Sequence, residues 1–180
     1  DGVEVPAGNL VGERGDGWAM ANGSLAHERG MVWVSAVMGI EASLDRLLAE
    51  APARLAALPA GERALVADEV VRVAIDAQAA RCLGSRGFAK LQRGGTAPEQ
   101  ALMKLYASEV RQRLAAVAAG LEGADALETG RVPRDGRLAV DEPQGTWLEQ
   151  YLQSFANTIS AGTSEIQRNL IAERVLGLPR

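Results

Sequence analysis

The chain has 180 residues, 47% of them hydrophobic and 4% aromatic, with a formal net charge of −4. That is enough apolar material for one core, and the excess of Ala and Leu favours helices over strands. The basic residues are scattered, without a Lys/Arg run or basic–aromatic interleaving, which argues against nucleic acid, and the apolar runs fall short of the ~18 residues that a membrane span needs.

Residues 1 to about 12 read as extended, because Val3, Val5 and Leu10 alternate with turn formers at Pro6, Gly8 and Asn9. Asp16 is placed to cap a first helix from Gly17 or Trp18. That helix carries Leu25, Val32, Val37, Ile40, Leu44, Leu47 and Leu48 at three- and four-residue spacings. Pro52 is expected to end it, because the residue before a proline avoids the α region. A second helix runs from about Glu62 to Lys90, with Leu65, Val66, Val70, Val73, Ala77, Ala80 and Leu83 turned inward. Cys82, the one cysteine, lies in this Ala-rich run and reads as a small core residue. Gly94 and Gly95 break the pattern, and Thr96 with Glu99 offers a capping box for a third helix ending near Gly123. Residues 123–145 read as a surface loop. A fourth helix spans roughly Thr146–Ser160, Ala161 and Gly162 break it, and Thr163 or Ser164 caps a short fifth helix ending at Gly177 and Pro179. The predicted fold is all-α: an antiparallel four-helix bundle with a short fifth helix, preceded by a strand and turn remnant.

The residues alone point to no chemistry. One His (His27), one Cys and scattered carboxylates make neither a metal cluster nor a Ser-His-Asp triad, and there is no G-x-G-x-x-G and no P-loop. The opening Asp1-Gly2-Val3-Glu4 has no signal-peptide pattern, and with the lone cysteine this suggests a cytoplasmic protein.

Two segments change the reading. Residues 162–179, from Gly162-Thr163-Ser164-Glu165-Ile166-Gln167-Arg168 to Leu176-Gly177-Leu178-Pro179, resemble the C-terminal signature of the acyl-CoA dehydrogenases. Asn9-Leu10-Val11-Gly12-Glu13, Gly17-Trp18 and Leu25-Ala26-His27-Glu28-Arg29 are similar to that family's passage from its sheet domain into its first C-terminal helix. The resemblance implies that residues 1–16 are the end of a sheet domain and 17–180 the C-terminal helical bundle of a longer flavoenzyme. It implies FAD as cofactor, an acyl-CoA substrate and electron-transfer flavoprotein or a similar acceptor. It also implies a homo- or hetero-oligomer, with the Leu176-Gly177-Leu178 end near a subunit contact.

The family's reaction needs a carboxylate base for the substrate's α-proton and hydrogen-bond donors on its thioester oxygen. In many members the base directly precedes the Gly-Thr of the signature, where this chain has Ala161. A minority branch carries it in a Glu-Arg pair on the first C-terminal helix, which matches Glu28-Arg29, so the resemblance makes Glu28 the base. By the same resemblance the Ala161 N–H donates to the thioester carbonyl at the Ala161-Gly162 break, and Thr163, Glu165 and Gln167 contact the flavin nucleotide. His27 is given no role and Arg29 a structural one. Two family elements are missing. Residues 45–54 lack the Arg-x-x-Phe-Gly that reaches the flavin pyrophosphate across subunits, and residues 117–130 lack Gln-x-x-Gly-Gly. The chain therefore resembles the base-bearing subunit of heteromeric members, with a scaffold or assembly subunit as the alternative.

Overall fold

The computed structural model describes residues 2–93, 99–127 and 145–179, with the backbone alone at 25–33, 91, 99 and 100. Among the described residues five α-helices follow one another: α1 (Gly17–Ala57), α2 (Ala60–Gln92), α3 (Glu99–Glu122), α4 (Trp147–Ile159) and α5 (Ser164–Arg174). Short 3₁₀ turns lie at Ala7–Asn9 and Gly123–Leu127.

α1 and α2 form an antiparallel hairpin, tied at its closed end by Arg63 donating to the Ala56 and Leu58 carbonyls. α3 returns parallel to α1. Gly39 lies against the Arg111 guanidinium, and fifteen residues further along α1 Arg54 pairs with Glu122 at 3.0 Å. α4 runs back antiparallel to both, with Ser43 of α1 opposite Gln150. The core follows the helical period, through Val37, Ile40, Leu47 and Ala51 of α1, Val70, Val73, Ala77 and Ala80 of α2, and Met103, Ala107, Val110, Leu114 and Ala118 of α3. Trp147, 1% exposed, closes it from α4.

The entry of α4 is held by three interactions. Thr146 and Glu149 form a capping box. The Trp147 indole N–H donates to the Glu50 carboxylate at 2.7 Å. Arg46 lies over the Trp147 ring at 4.3 Å and donates to both Glu50 and the Gly145 carbonyl. Burial alone would raise the Glu50 pKa, but the Trp147 and Arg46 hydrogen bonds and the charges of Arg46 and Arg54 together hold it below the usual carboxylate range.

Several expectations are corrected. The first dozen residues form no strand among those described: Val3, Val5 and Leu10 are exposed, and a strand needs a neighbour for its backbone groups. Residues 7–9 instead close a tight turn through Asn9 N–H to the Pro6 carbonyl. Asp16 does not cap α1 with its side chain, because that carboxylate accepts the Glu13 N–H at 3.0 Å. Pro52 lies inside α1, which continues to Ala57. The proline removes one helical hydrogen bond, but buried Ala51 before it and the Arg54–Glu122 pair after it keep the last turn in place. Leu65 is 73% exposed and Leu48 also faces out, each about 100° around its helix from the residue that does pack, Val66 and Leu47. Cys82 is exposed, on the outer face of α2 between inward Ala80 and Leu83. The loop expected over 123–145 begins as a 3₁₀ turn whose Ala126 is buried. The Thr96–Glu99 box and the rest of that loop lie outside the described residues.

Candidate active site

α4 leaves its axis at Ser160, whose N–H still reaches the Ala156 carbonyl at 2.9 Å. The next two residues are both left-handed, Ala161 at φ 54° and Gly162 at φ 101°. Thr163 returns to extended geometry and caps α5, its hydroxyl oxygen accepting the Ile166 N–H at 3.3 Å. Gln167, 2% exposed, folds back under the turn and donates from Nε2 to the Ala161 carbonyl at 3.1 Å. A Cβ on Gly162 would sit 2.6 Å from that same Nε2, so a side chain there would displace the Gln167 amide as well as strain a backbone that favours glycine by its φ. The peptide on the C-terminal side of exposed Ala161 is held through its carbonyl, and the peptide entering Ser160 through the Ser160 N–H, so the turn that carries the Ala161 N–H is braced on both flanks.

α5 begins at this turn, and its first N–H groups are met within the chain, that of Ile166 by the Thr163 hydroxyl and that of Glu165 by its own carboxylate. Glu165 is exposed there. Its own backbone N–H, then the Thr163 hydroxyl, hold its carboxyl below the ordinary range. An ionised carboxylate at this spot repels phosphate and accepts hydrogen bonds from hydroxyls, so the turn suits the sugar-like portion of a flavin nucleotide better than its pyrophosphate. Of the residues expected to contact the cofactor, Thr163 is the cap of α5 and Glu165 is exposed in its first turn. Gln167 faces inward, and its Oε1 is buried without a donor among the described residues. In this chain it is the brace of the turn.

Glu28, His27 and Arg29 lie on α1, within the stretch described by backbone alone. The expectation that the Glu28 carboxylate is directed at the Ala161-Gly162 break lies outside the described side chains. In the region lacking Arg-x-x-Phe-Gly, both arginines have structural partners: Arg46 is bound to Glu50 and Gly145, and Arg54 to Glu122. Sequence reasoning gave no weight to Lys104 and Arg111 of α3, which the structure half-buries.

The fold and the sequence are those of one family. Residues 15–176 match the model for the acyl-CoA dehydrogenase C-terminal domain. The chain belongs to the acyl-CoA dehydrogenase family. It is 32% identical over 180 residues to acyl-CoA dehydrogenase IpdE1 of Mycolicibacterium smegmatis, covering all of this chain and 41% of that protein. It is 33% identical to the IpdE1 of Mycobacterium tuberculosis, again over all of this chain and 43% of that protein. The chain thus spans less than half the length of the curated relatives it matches. Among solved structures, the Tcur3481-Tcur3483 steroid ACAD superposes with a TM-score of 0.77 at 23% identity, over 100% of this chain and 44% of that one. The glutaryl-coenzyme A dehydrogenase glutaryl-CoA complex superposes with a TM-score of 0.74 at 24% identity, over 99% of this chain and 42% of that one. At those identities the superpositions establish the shared fold.

Proposed function

We propose that this chain is the C-terminal part of an FAD-dependent acyl-CoA dehydrogenase that converts an acyl-CoA thioester to the trans-2-enoyl-CoA, with Glu28 as the base. The observation that carries the reading is the braced turn at Ala161-Gly162, a preorganised exposed N–H beside a helix N-terminus. Such a donor stabilises negative charge on a thioester oxygen as the α-proton leaves. Bound FAD supplies the hydride acceptor for the β-carbon, with Thr163 and Glu165 as this chain's contacts to it.

Helix geometry supports Glu28 as the partner of that turn. α1 and α4 run antiparallel with Ser43 opposite Gln150. Both helices advance ~1.5 Å per residue, so Ala161, eleven residues beyond Gln150, is level with Val32, about one turn from residue 28. Glu50, Gly39 and Glu28 are spaced by eleven residues, close to three turns, and so share one face of α1. At Glu50 that face meets Trp147 of α4, and at Gly39 it meets Arg111 of α3.

Residues 1–16 are the end of the sheet domain in this reading. The flavin site is completed by segments outside this chain, in agreement with the two missing motifs. Electron-transfer flavoprotein or a similar acceptor re-oxidises the enzyme, and the protein is cytoplasmic. Among the described residues, no helix is long and apolar enough to cross a membrane.

A flavin absorption spectrum of the purified whole protein, with and without acyl-CoA, tests this. Loss of the oxidised-flavin band on anaerobic addition of acyl-CoA is the expected result. A protein purified with its partner subunit and still free of flavin would point instead to the assembly-subunit reading that the missing motifs favour.

A further inference from the structure

Lys104 and Arg111 are seven residues apart on α3, which sets them two turns and ~10.5 Å apart on one face. Both look into the seam between α1 and α4. The Lys104 ammonium donates to the Asn157 carbonyl of α4 at 3.0 Å. The Arg111 guanidinium lies against Gly39 of α1, where any Cβ would collide with it. Arg111 sits between buried Ala107 and Ala115 on its own helix, so it is set into the packed side of α3. Burial pushes the pKa of both groups down. Glu109, the acid whose charge Lys104 feels, is bound by Arg168. Among the described residues no carboxylate pairs with Arg111.

A desolvated cation without a counter-ion is costly to hold, and Arg111, with part-buried Lys104 two turns away on the same face, calls for an anion that the described residues do not supply. The seam has direction. Its far end is closed by the Arg46–Trp147–Glu50 cluster, and its near end meets the turn carrying Ala161. Asn157 precedes Ala161 by four residues, so along the bundle axis Lys104 lies roughly 6 Å and Arg111 roughly 16 Å from that turn. An acyl group leaving a thioester at the turn and running up the seam passes Lys104 and ends at Arg111.

We infer that this seam is the distal part of the acyl site, and that the acyl group carries a carboxylate which Arg111 binds and Lys104 helps to draw in. The inference rests on the dehydrogenase reading. It goes beyond it by naming a substrate class, CoA thioesters of acids with a second carboxyl group remote from the thioester.

The test uses the whole protein with its partner chain. Mono-CoA thioesters of straight-chain dicarboxylic acids of increasing length are each compared with the corresponding methyl ester. A charge-assisted hydrogen bond of the usual strength gives a preference in kcat/KM of about 10–100-fold for the free acid at the matching length. Arg111→Met should reduce that ratio to within ~3-fold, and Arg111→Lys should retain part of it. In the absence of substrate, free dicarboxylate should raise the melting temperature of the wild type and leave that of Arg111→Met unmoved. A wild type with no preference at any length, or an Arg111→Met protein that keeps the preference, overturns the inference while leaving the dehydrogenase reading intact. So does an Arg111→Met protein that fails to fold, since Arg111 would then be held by a structural partner. If no thioester of either kind bleaches the flavin, the dehydrogenase reading falls, and this inference with it.

Discussion

Ala161 holds a left-handed conformation, φ 54°, that costs a residue with a Cβ about 1–2 kcal/mol. The neighbouring Gly162, at φ 101°, has in addition no room for a side chain above Gln167 Nε2. The two positions should therefore respond differently to mutation. Gly162→Ala is expected to destabilise the protein by about 1–3 kcal/mol, read as a lower urea midpoint at constant m. Ala161→Gly should be close to neutral, because relief of the strain is offset by the greater freedom of glycine in the unfolded chain. If the midpoints fall equally, the strain assigned to Gly162 is wrong. Ala161→Glu tests chemistry at the same place. Combined with Glu28→Gln it returns a carboxylate to the position most family members use, and it should recover part of the lost turnover. No recovery in a folded, flavin-loaded double variant would mean that this turn does not face the substrate's α-carbon.

At the scale of elements, two part-buried hydrogen-bonded groups make measurable statements about pH. Glu50 bridges Trp147 and Arg46, and its pKa is lowered. A lowered folded-state value adds stability that is present above the unfolded value of 4.5 and is lost as pH falls through the folded value. Wild type should therefore lose more stability than Glu50→Gln on going from neutral pH to below about pH 4. Equal losses would show that the clasp on α4 does not depend on the charge. Tyr106 donates to Asp76 at 2.7 Å between α3 and α2, and burial, with that carboxylate, raises its pKa to about 12. Here the folded value is the higher one, so the contribution holds below the unfolded value of 10.0 and is lost as pH rises toward 12. In an alkaline ultraviolet titration, the phenolate signal that Tyr106→Phe removes should appear only near pH 12. The helices themselves were legible because buried Val37, Ile40 and Leu47, and Val70, Val73, Ala77 and Ala80, repeat at helical spacing. Two local signals misled. Pro52 read as a stop, because periodicity does not show the tertiary contacts that hold the turn after it. Leu65 read as core, because a one-residue shift is only 100° of rotation. The Thr146-x-x-Glu149 box was as visible in the sequence as the one assigned at Thr96. Of the site, the Ala161-Gly162 break was readable, but Gln167 as its brace and the depth of Lys104 and Arg111 were not. A basic residue on an Ala-rich helix looks like a solvated one until its neighbours are placed.

At the scale of the whole molecule, α4 exposes Leu152, Phe155 and Ile159, and α5 exposes Ile166. Leu176 and Leu178 are exposed beyond the end of α5. Apolar surface of this extent marks contact surfaces, here with the remaining domains or with other subunits. Light scattering at micromolar concentration is expected to show an oligomer, and a monodisperse monomer of the whole protein would contradict that. The central claim is that the turn at Ala161 and residue 28 of α1 together make the α-proton of an acyl-CoA labile, and Glu28→Gln addresses it most directly because it keeps the side-chain shape and removes the basicity. In anaerobic rapid mixing of the whole flavoprotein with its acyl-CoA substrate, the variant should retain wild-type flavin content and lose the oxidised-flavin band ~10²–10⁴-fold more slowly than wild type. Bleaching at the wild-type rate in the variant would contradict the account and assign proton removal to another group.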